Sequence, residues 1–167
     1  MLVERILHSR SPQLHYEQLD VKLVLEEVME HMKVQFDNKH ADVSFQQQGD
    51  GFMINGDKAH MSGVFYNLLD NALKYSTENP VIKVQLTRNN GTVRLDIADN
   101  GIGIEPALLG DVFDLFRQVD TSFSRSRGGL GIGLTLARTL VQMHGGTVEA
   151  HSAGLGKGCE FIVRLPL

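Results

Sequence analysis

The chain has 167 residues, which suits a single domain with a hydrophobic core of its own. Hydrophobic residues make up 42% and charged residues 22%, and the formal net charge of -4 gives no attraction to nucleic acid or to anionic lipid. The single cysteine excludes an internal disulfide, and no apolar run reaches the roughly 18 residues of a membrane span, so we expect a cytoplasmic domain without membrane contact.

The N-terminal part of the chain is predicted to contain a linker, a strand and an amphipathic helix. Residues 1–14 include the helix-breaking pair Ser11-Pro12, so we interpret them as a linker or as the tail of a preceding helix, and residues 15–167 as the domain. Residues 14–19 alternate as in a short edge strand, and Asp20 has the position of an N-cap. The helix that follows carries on one face Val24, Val28, Met32 and Phe36.

The next segment has the pattern of a hairpin followed by a second helix. Residues 43–48 and 52–55 are predicted strands, and Gly49-Asp50-Gly51 between them is typical of a tight turn. Asp57 is predicted to cap a helix over residues 57–76, and Pro80 is expected to end it.

One face of this second helix carries polar side chains suited to a phosphate ligand. Asn67, Asn71 and Lys74 recur at spacings of four and three, which places them on the same side of a helix. An Asn oxygen is a neutral ligand for Mg²⁺, and a Lys ammonium is a point charge for phosphate. The spacing alone fits a solvated helix face equally well.

A second hairpin and a polar stretch follow. Residues 81–87 and 92–98 are predicted antiparallel strands joined by Asn89-Asn90-Gly91. A short helix is expected after Pro106, and the Ser- and Arg-rich residues before Gly128 are typical of a mobile lid over a pocket.

The C-terminal part is predicted to contain one more helix and two strands. The helix runs from Gly133 to His144, where Gly145-Gly146 ends it, and the strands cover residues 147–152 and 158–165. The order of elements indicates a two-layer α/β sandwich, in which helices cover one face of a mixed, mostly antiparallel sheet.

Two glycine-rich segments are the most informative part of the chain. The first glycine segment is Asp99-Asn-Gly-Ile-Gly-Ile, and the second is Gly128-Gly-Leu-Gly-Ile-Gly-Leu. Glycine lets the backbone come within hydrogen-bond distance of a ligand, so the pair predicts a nucleotide pocket in which backbone N–H groups hold phosphate. Asp99 at a strand end suits an exocyclic amine such as that of adenine, although Asp-Asn-Gly is also a common turn.

Four stretches together resemble the catalytic and ATP-binding domain of bacterial sensor histidine kinases, within the Bergerat-fold ATPases. Residues 67–76 resemble the N box, the first glycine segment the G1 box, residues 112–116 the F box and residues 129–134 the G2 box. The resemblance implies a Bergerat fold with five sheet strands and three helices on one face. It also implies that ATP and Mg²⁺ are bound.

The resemblance assigns roles to individual positions. Asn71 corresponds to the magnesium ligand, Asn67 to its companion near the phosphates and Lys74 to a phosphate contact, and these three are the catalytic candidates. Asp99 corresponds to the carboxylate that reads the adenine amino group, and Phe113 to part of the F box, for which ordinary core packing is an equal alternative. The remaining nucleotide-binding candidates are Tyr75, Gly101, Gly103, Ile104, Phe116, Arg117, Gly129, Leu130, Gly131, Gly133 and Leu134.

Two departures from related patterns shape the expected mechanism. Hydrolytic relatives among the gyrase, mismatch-repair and heat-shock ATPases have a Glu four residues before the metal-binding Asn, where this chain has Asn67, and a carboxamide does not take a proton at neutral pH. The phosphoacceptor H box of the family has a His-Glu pair with Pro five residues after the His. None of the seven histidines fits; His8 precedes Pro12 by four residues and is followed by Ser9.

We therefore expect the kinase half of a larger, homodimeric sensor, which transfers phosphate to a histidine on a separate dimerisation domain and serves a response regulator. The alternatives are a serine protein kinase of the anti-sigma type and a non-catalytic, nucleotide-gated interaction module. Arg125 and Arg127 in the presumed lid fit solvated charges and phosphate ligands alike. We expect Cys159 to be a packing residue rather than a reactive thiol, because no His or Lys flanks it.

Overall fold

The computed structural model describes residues 14–113 and 132–167. The elements of this part, in chain order, are β1 (Glu17–Asp20), α1 (Val21–His31), α2 (Lys33–Asn38), β2 (Asp42–Gln48), β3 (Met53–Gly56), α3 (Lys58–Lys74), β4 (Val81–Asn89), β5 (Thr92–Asp99), a 3₁₀ helix (Pro106–Asp111), α4 (Ile132–Met143), β6 (Thr147–His151) and β7 (Cys159–Pro166). Among these helices, none is both long and apolar enough to cross a membrane.

The main sheet has five strands in the order β2-β4-β5-β7-β6. β2 lies parallel to β4, and the other three pairs are antiparallel, which confirms the mixed, mostly antiparallel sheet. On β4 and β5, buried apolar side chains alternate with more exposed ones, and β7 adds the buried Phe161, Val163 and Leu165 at alternate positions. One face of the sheet is therefore apolar and packs on the helices. The buried face of β5, for example, consists of Val93, Leu95 and Ile97.

Helix α3 is the centre of the helical layer. Asp57 is its N-cap, as predicted, and accepts a hydrogen bond from the backbone N–H of His60 at 3.0 Å. Seven apolar side chains on one side of this helix are buried: Met61, Val64, Phe65, Leu68, Leu69, Ala72 and Leu73. This burial anchors the helix and fixes which side carries its polar residues.

A buried histidine joins the start of α3 to the end of α4. The Nε2 atom of His144 accepts from the backbone N–H of Asp57 at 3.0 Å, and its Nδ1 donates to the carbonyl oxygen of Leu140 at 2.7 Å. The ring of Tyr16 meets that of His144 edge to face, with centroids 5.6 Å apart. These contacts connect the segment around Tyr16, just before β1, to α3 and α4, the two helices that border the candidate site.

The hairpin predicted between residues 43–48 and 52–55 is wrong. Gly49 and Gly51 do adopt positive φ angles of 86° and 78°, but β3 pairs with β1 in a separate two-stranded sheet. β2 instead pairs with β4, which follows α3. The local pattern predicted a turn correctly, but the partner of each strand depends on the long-range packing of α3.

Two further boundaries differ from the sequence-based prediction. The first amphipathic helix is broken at Met32, which separates α1 from α2, although Met32 and Phe36 are both buried as expected. Helix α3 ends at Lys74 with Tyr75 as its C-cap, two residues before the predicted end at residue 76. The turn at Tyr75 is held by contacts with the first glycine segment, described below.

Candidate functional site

The polar side chains predicted on α3 share one half-buried face. Asn67, Asn71 and Lys74 are all partly exposed, beside the buried apolar stripe. The Nζ atom of Lys74 lies 3.0 Å from the carboxylate of Asp70, one turn earlier on the helix. The amide Nδ2 of Asn67 donates to the carbonyl oxygen of Gly133 at 3.4 Å, which brings the N-box position against the described end of the second glycine segment.

The first glycine segment contacts the other end of the same helix. The backbone N–H of Ile102 donates to the carbonyl oxygen of Tyr75 at 3.0 Å. A Cβ atom at Gly101 would lie 2.3 Å from that Tyr75 oxygen and 2.9 Å from Oδ1 of Asp99. Only glycine leaves room for this close approach, so Gly101 is required by the packing of the loop on α3.

Asp99 is held at the end of β5 by two backbone donors. Its Oδ1 atom accepts from the N–H of Gly101 at 2.8 Å and from the N–H of Cys159 at 3.2 Å. Burial raises the pKa of Asp99 to about 6, although the two hydrogen bonds act in the opposite direction. Within the described part of the chain both donors use Oδ1, so Oδ2 is the oxygen that suits a ligand amine.

The thiol of Cys159 lies on β7 directly opposite Asp99 in the strand register. Burial raises its pKa far above the ordinary range, and the neighbouring charge of Asp99 raises it further. The side chain packs against the hydrophobic core. These properties agree with the prediction of a packing residue, because a reactive cysteine needs a lowered pKa.

The loop between β6 and β7, residues 152–158, is a third part of the candidate site, beside α3 and the first glycine segment. The sequence analysis did not predict it. Gly156 donates to the carbonyl oxygen of Ile102 at 2.7 Å, and Gly158 to that of Gly101 at 3.2 Å. Gly103 has a φ of 74°, and a Cβ there would lie 2.1 Å from the carbonyl oxygen of Gly154. The alternate glycines at positions 154, 156 and 158 are a sequence signal of the same kind as the first glycine segment.

Ser152 begins this loop and was also missed. Its Oγ accepts from the backbone N–H of Ile104 at 3.0 Å and donates to the carbonyl oxygen of Gly158 at 2.6 Å. Ile104 itself is buried, and Leu134 on α4 is partly buried against the core. No sequence motif around a single serine at a strand end predicts hydrogen bonds of this kind.

The described part of the F box is a packing element. Phe113 is buried and meets Phe161 edge to face, with centroids 6.1 Å apart, and the Arg138 guanidinium lies 5.7 Å from its ring centroid. Its carbonyl oxygen accepts from Oγ1 of Thr135 at 2.8 Å. Phe113 therefore agrees with the core-packing alternative and joins this loop to α4.

Several predicted residues lie outside the part of the chain that the structure describes. They are Phe116, Arg117, Arg125, Arg127, Gly129, Leu130 and Gly131. Their proposed nucleotide contacts stay predictions, and so does the proposed linker over residues 1–14, of which residues 1–13 also lie outside the described part. The described residues still bring Asn67, Asn71 and Lys74 onto one helix face, with Asp99 and Gly101 at the end of that helix.

The donor set fits a magnesium ion carried by a nucleotide rather than a metal centre built by the protein alone. No group of three or more His, Cys, Asp or Glu side chains within residues 14–113 and 132–167 is arranged to hold a metal ion. Mg²⁺ is commonly held by one or two protein oxygens together with substrate phosphates. The half-buried amide of Asn71 suits such a single protein ligand.

A groove of about 510 Å³ lies elsewhere, between the helices α1 and α2 and the edge strand β2. Its lining includes the apolar Met29, Phe36 and Phe45 and the acidic Glu30 and Asp37. None of the predicted site residues is part of this lining, so the groove is distinct from the candidate site.

Comparison with known proteins identifies the family. Residues 56–167 match the family of histidine kinase-, DNA gyrase B-, and HSP90-like ATPases. The hybrid signal transduction histidine kinase D of Dictyostelium discoideum is 32% identical over 180 residues, which cover 89% of this chain and 12% of that protein. The sensor protein RprX of Bacteroides fragilis is 32% identical over 156 residues, covering 92% of this chain and 30% of that protein. The chain thus spans less than a third of the length of these relatives.

Solved structures of histidine kinases have the same fold. A mycobacterial sensor histidine kinase, MprB, aligns with a TM-score of 0.79 at 25% identity, covering 91% of this chain and 97% of that chain. Full-length ShkA, solved in complex with AMPPNP, aligns with a TM-score of 0.83 at 25% identity, covering 99% of this chain and 34% of that chain. Because the family model covers more than half of the sequence, the chain belongs to the histidine kinase-, DNA gyrase B-, and HSP90-like ATPases, and its relatives are sensor histidine kinases.

Proposed function

We propose that this chain binds Mg²⁺ and ATP and donates the γ-phosphoryl group to a histidine on a separate dimerisation domain of a two-component sensor. The observation that carries the proposal is the position of α3 between the first glycine segment and the described end of the second. Asn67 on this helix contacts Gly133, and Tyr75 at its end contacts Ile102. Asn67 and Tyr75 are eight positions apart, which corresponds to about 12 Å along the helix axis.

Asp99 lies at the end of the proposed site that would bind the adenine base. A half-buried carboxylate held by two backbone donors has little freedom to rotate, so its other oxygen is preorganised to accept from the amino group of adenine. ShkA was solved with AMPPNP, an adenine nucleotide, which agrees with this choice of base.

The phosphate end of the proposed site is the middle of α3. The amide oxygen of Asn71 would hold Mg²⁺, which neutralises phosphate charge when bound, and Lys74 would contact a phosphate oxygen while paired with Asp70. Gly133, beside Asn67, lies at the start of α4, where backbone N–H groups favour an anion.

Transfer rather than hydrolysis follows from the side chain at position 67. In the proposed reaction an imidazole nitrogen bonds to the γ-phosphorus as the bond to the β–γ bridging oxygen breaks and ADP leaves. The incoming imidazole is itself the nucleophile, so this chain needs to position the phosphate rather than to activate water. Asn67 cannot act as a general base, and Gly133 constrains its orientation.

The partners are proposed from the relatives. The chain covers only part of sensor proteins such as RprX, so a phosphoacceptor domain on the same parent chain is expected. A structure of the histidine kinase ThkA contains the response regulator TrrA, and we propose a response regulator as the downstream partner here. We propose a homodimeric parent, since the phosphoacceptor domain of the family is a dimerisation domain, and a cytoplasmic location for this domain.

The first experiment is titration calorimetry with ATP, with and without Mg²⁺. Asn71→Ala is expected to weaken Mg²⁺-dependent ATP binding about tenfold or more, which corresponds to about 1.4 kcal/mol. Asn38→Ala, which removes the same side chain from the exposed end of α2, serves as the matched control and is expected to bind as the wild type. Absence of ATP binding by the folded wild-type chain would refute the proposal.

The second experiment separates the three possible activities. The chain is incubated with ATP labelled at the γ-phosphate, alone and with the phosphoacceptor domain of its parent protein. Acid-labile, base-stable label on the added domain supports a histidine kinase, whereas acid-stable label supports a serine kinase. If ATP binds but no label appears on the chain or on the added domain, the result would indicate a nucleotide-gated interaction module.

A further inference from the structure

The hydroxyl of Ser152 is fully used by the two loops that surround Asp99. It accepts from the backbone N–H of Ile104 at 3.0 Å and from that of Gly154 at 3.2 Å. It donates to the carbonyl oxygen of Gly158 at 2.6 Å, which is closer than the Gly154 oxygen at 3.3 Å. A serine hydroxyl has one proton and two lone pairs, so these contacts saturate it.

One peptide group links this hydroxyl to Asp99. The carbonyl of Gly158, which accepts from Ser152, and the N–H of Cys159, which donates to Oδ1 of Asp99, belong to the same peptide unit. A peptide group is planar, so holding the oxygen also fixes the direction of the N–H on its opposite side. Hydrogen bonding at the oxygen also polarises the N–H and strengthens the bond it donates.

A second path runs from the same hydroxyl to the other end of the first glycine segment. Asp99 begins this segment, and Ile104, whose N–H donates to Ser152, ends it. Gly103 between them packs against the Gly154 carbonyl so closely that a Cβ atom would lie 2.1 Å away. Ser152 thus holds both the carboxylate and the far end of the loop that carries it.

We propose that Ser152 is a positioning residue that sets the orientation and the proton affinity of Asp99 through the Gly158–Cys159 peptide, and thereby the preference of the site for a 6-amino purine. The inference deepens the proposed function and rests on it for the identity of the ligand. The orientation of Asp99 itself is a property of the nucleotide-free chain, and it can be measured without ATP.

The first test is a carboxyl titration by ¹³C NMR in the absence of nucleotide. Loss of the Ser152 hydroxyl loosens one of the two hydrogen bonds that oppose the effect of burial, so the pKa of Asp99 is expected to rise above about 6 in Ser152→Ala. Ser44→Ala, at an exposed serine on β2, is the matched control and should leave the titration unchanged. An unchanged midpoint in folded Ser152→Ala would overturn the proposal.

A measurement on the wild type keeps the proposal testable if Ser152→Ala is too unstable to study. The amide proton of Cys159 is expected to shift with pH at the same midpoint as the Asp99 carboxyl carbon, since the two groups share a hydrogen bond. An amide resonance that does not follow that midpoint would show that the Gly158–Cys159 peptide does not report on Asp99, and the inference would fail.

The second test compares ATP with purine riboside triphosphate, which lacks the 6-amino group. Ser152→Ala is expected to bind ATP about tenfold more weakly, which is the size of effect expected for one weakened hydrogen bond. It should bind the purine analogue almost as the wild type does. Ser152→Thr, which keeps the hydroxyl, should restore ATP binding. An equal loss of affinity for both nucleotides in Ser152→Ala would show that Ser152 is a purely structural residue and would overturn the inference. A wild type that binds neither nucleotide would refute the proposed function, and the carboxyl titration would still decide the role of Ser152.

Discussion

Replacing Asp99 with Asn is expected to stabilise the fold while weakening the site. Burial raises the pKa of Asp99 from 3.8 to about 6, so the ionised carboxylate is disfavoured in the native state. A difference of one pKa unit between the native and unfolded states corresponds to about 1.4 kcal/mol. Ionisation of Asp99 therefore lowers the free energy of unfolding by about 3 kcal/mol. Asn has no charge to bury, and its amide oxygen can still accept from the N–H groups of Gly101 and Cys159.

The sign of the pH dependence follows from the raised pKa. Between about pH 4 and pH 6 the native state binds more protons at Asp99 than the unfolded state does, so the free energy of unfolding falls as pH rises through this range. Asp99→Asn does not titrate. The variant should therefore match the wild type near pH 4 and exceed it at pH 8 by up to about 3 kcal/mol.

The assay is urea unfolding of both proteins at intervals from pH 4 to pH 8. Asp50→Asn, which makes the same replacement in the exposed turn after β2, is the matched control. The same Asp99→Asn variant should bind ATP at least tenfold more weakly, because an amide oxygen is a poorer acceptor than a carboxylate. If Asp99→Asn were equal to or less stable than the wild type at pH 8, the burial argument would be refuted.

Three further predictions concern packing, capping and thiol reactivity. Gly101→Ala places a Cβ 2.3 Å from the Tyr75 oxygen and should cost about 1–3 kcal/mol, whereas Gly63→Ala, in open space on α3, should stabilise by about 0.5–1 kcal/mol in calorimetric melts. Asp57→Ala removes the N-cap of α3 and should cost about 1–2 kcal/mol at pH 7. Burial raises the pKa of Asp57, but hydrogen bonds from His15 and His60 together lower it below its ordinary value, so in urea titrations the charge-dependent part of this difference should be lost as pH falls through that lowered pKa. Cys159 should react with an aromatic disulfide reagent only after unfolding, because burial raises its pKa.

Each of these has a contradicting result. Equal melting temperatures for Gly101→Ala and Gly63→Ala would mean that the close approach at Tyr75 is not a constraint. A stability of Asp57→Ala equal to that of the wild type at pH 7 would remove the capping argument. Rapid labelling of Cys159 in the native chain would show that the thiol is neither buried nor held protonated.

The elements that the sequence predicted best are those with a local physical cause. Asp57 and Asp20 cap helices because a short acidic side chain reaches backbone N–H groups two or three residues on. Asn89-Asn90-Gly91 forms the β4–β5 turn, where Gly91 has a φ of 79°. In each case the residues that determine the conformation are neighbours in the chain.

The errors arose where distant residues decide the outcome. Residues 43–48 and 52–55 look like two halves of a hairpin, yet their strands join different sheets because β4 and β1 offer the pairings that the packed helices allow. Likewise, the carbonyl of Tyr75, the C-cap of α3, accepts from the N–H of Ile102, a residue in the loop after β5.

For the candidate site, the spacing of Asn67, Asn71 and Lys74 predicted that they share one face of α3, as the structure shows, whereas their roles and that of Asp99 came from the family resemblance and stay predictions. Their mutual arrangement, and the role of Ser152, were not readable from the chain, since they depend on hydrogen bonds between segments separated by up to 66 residues. Local sequence determined which polar side chains and glycines are present for the proposed nucleotide site. Tertiary packing decided which of them meet, because backbone donors and acceptors from separate loops must satisfy one another once they are removed from water.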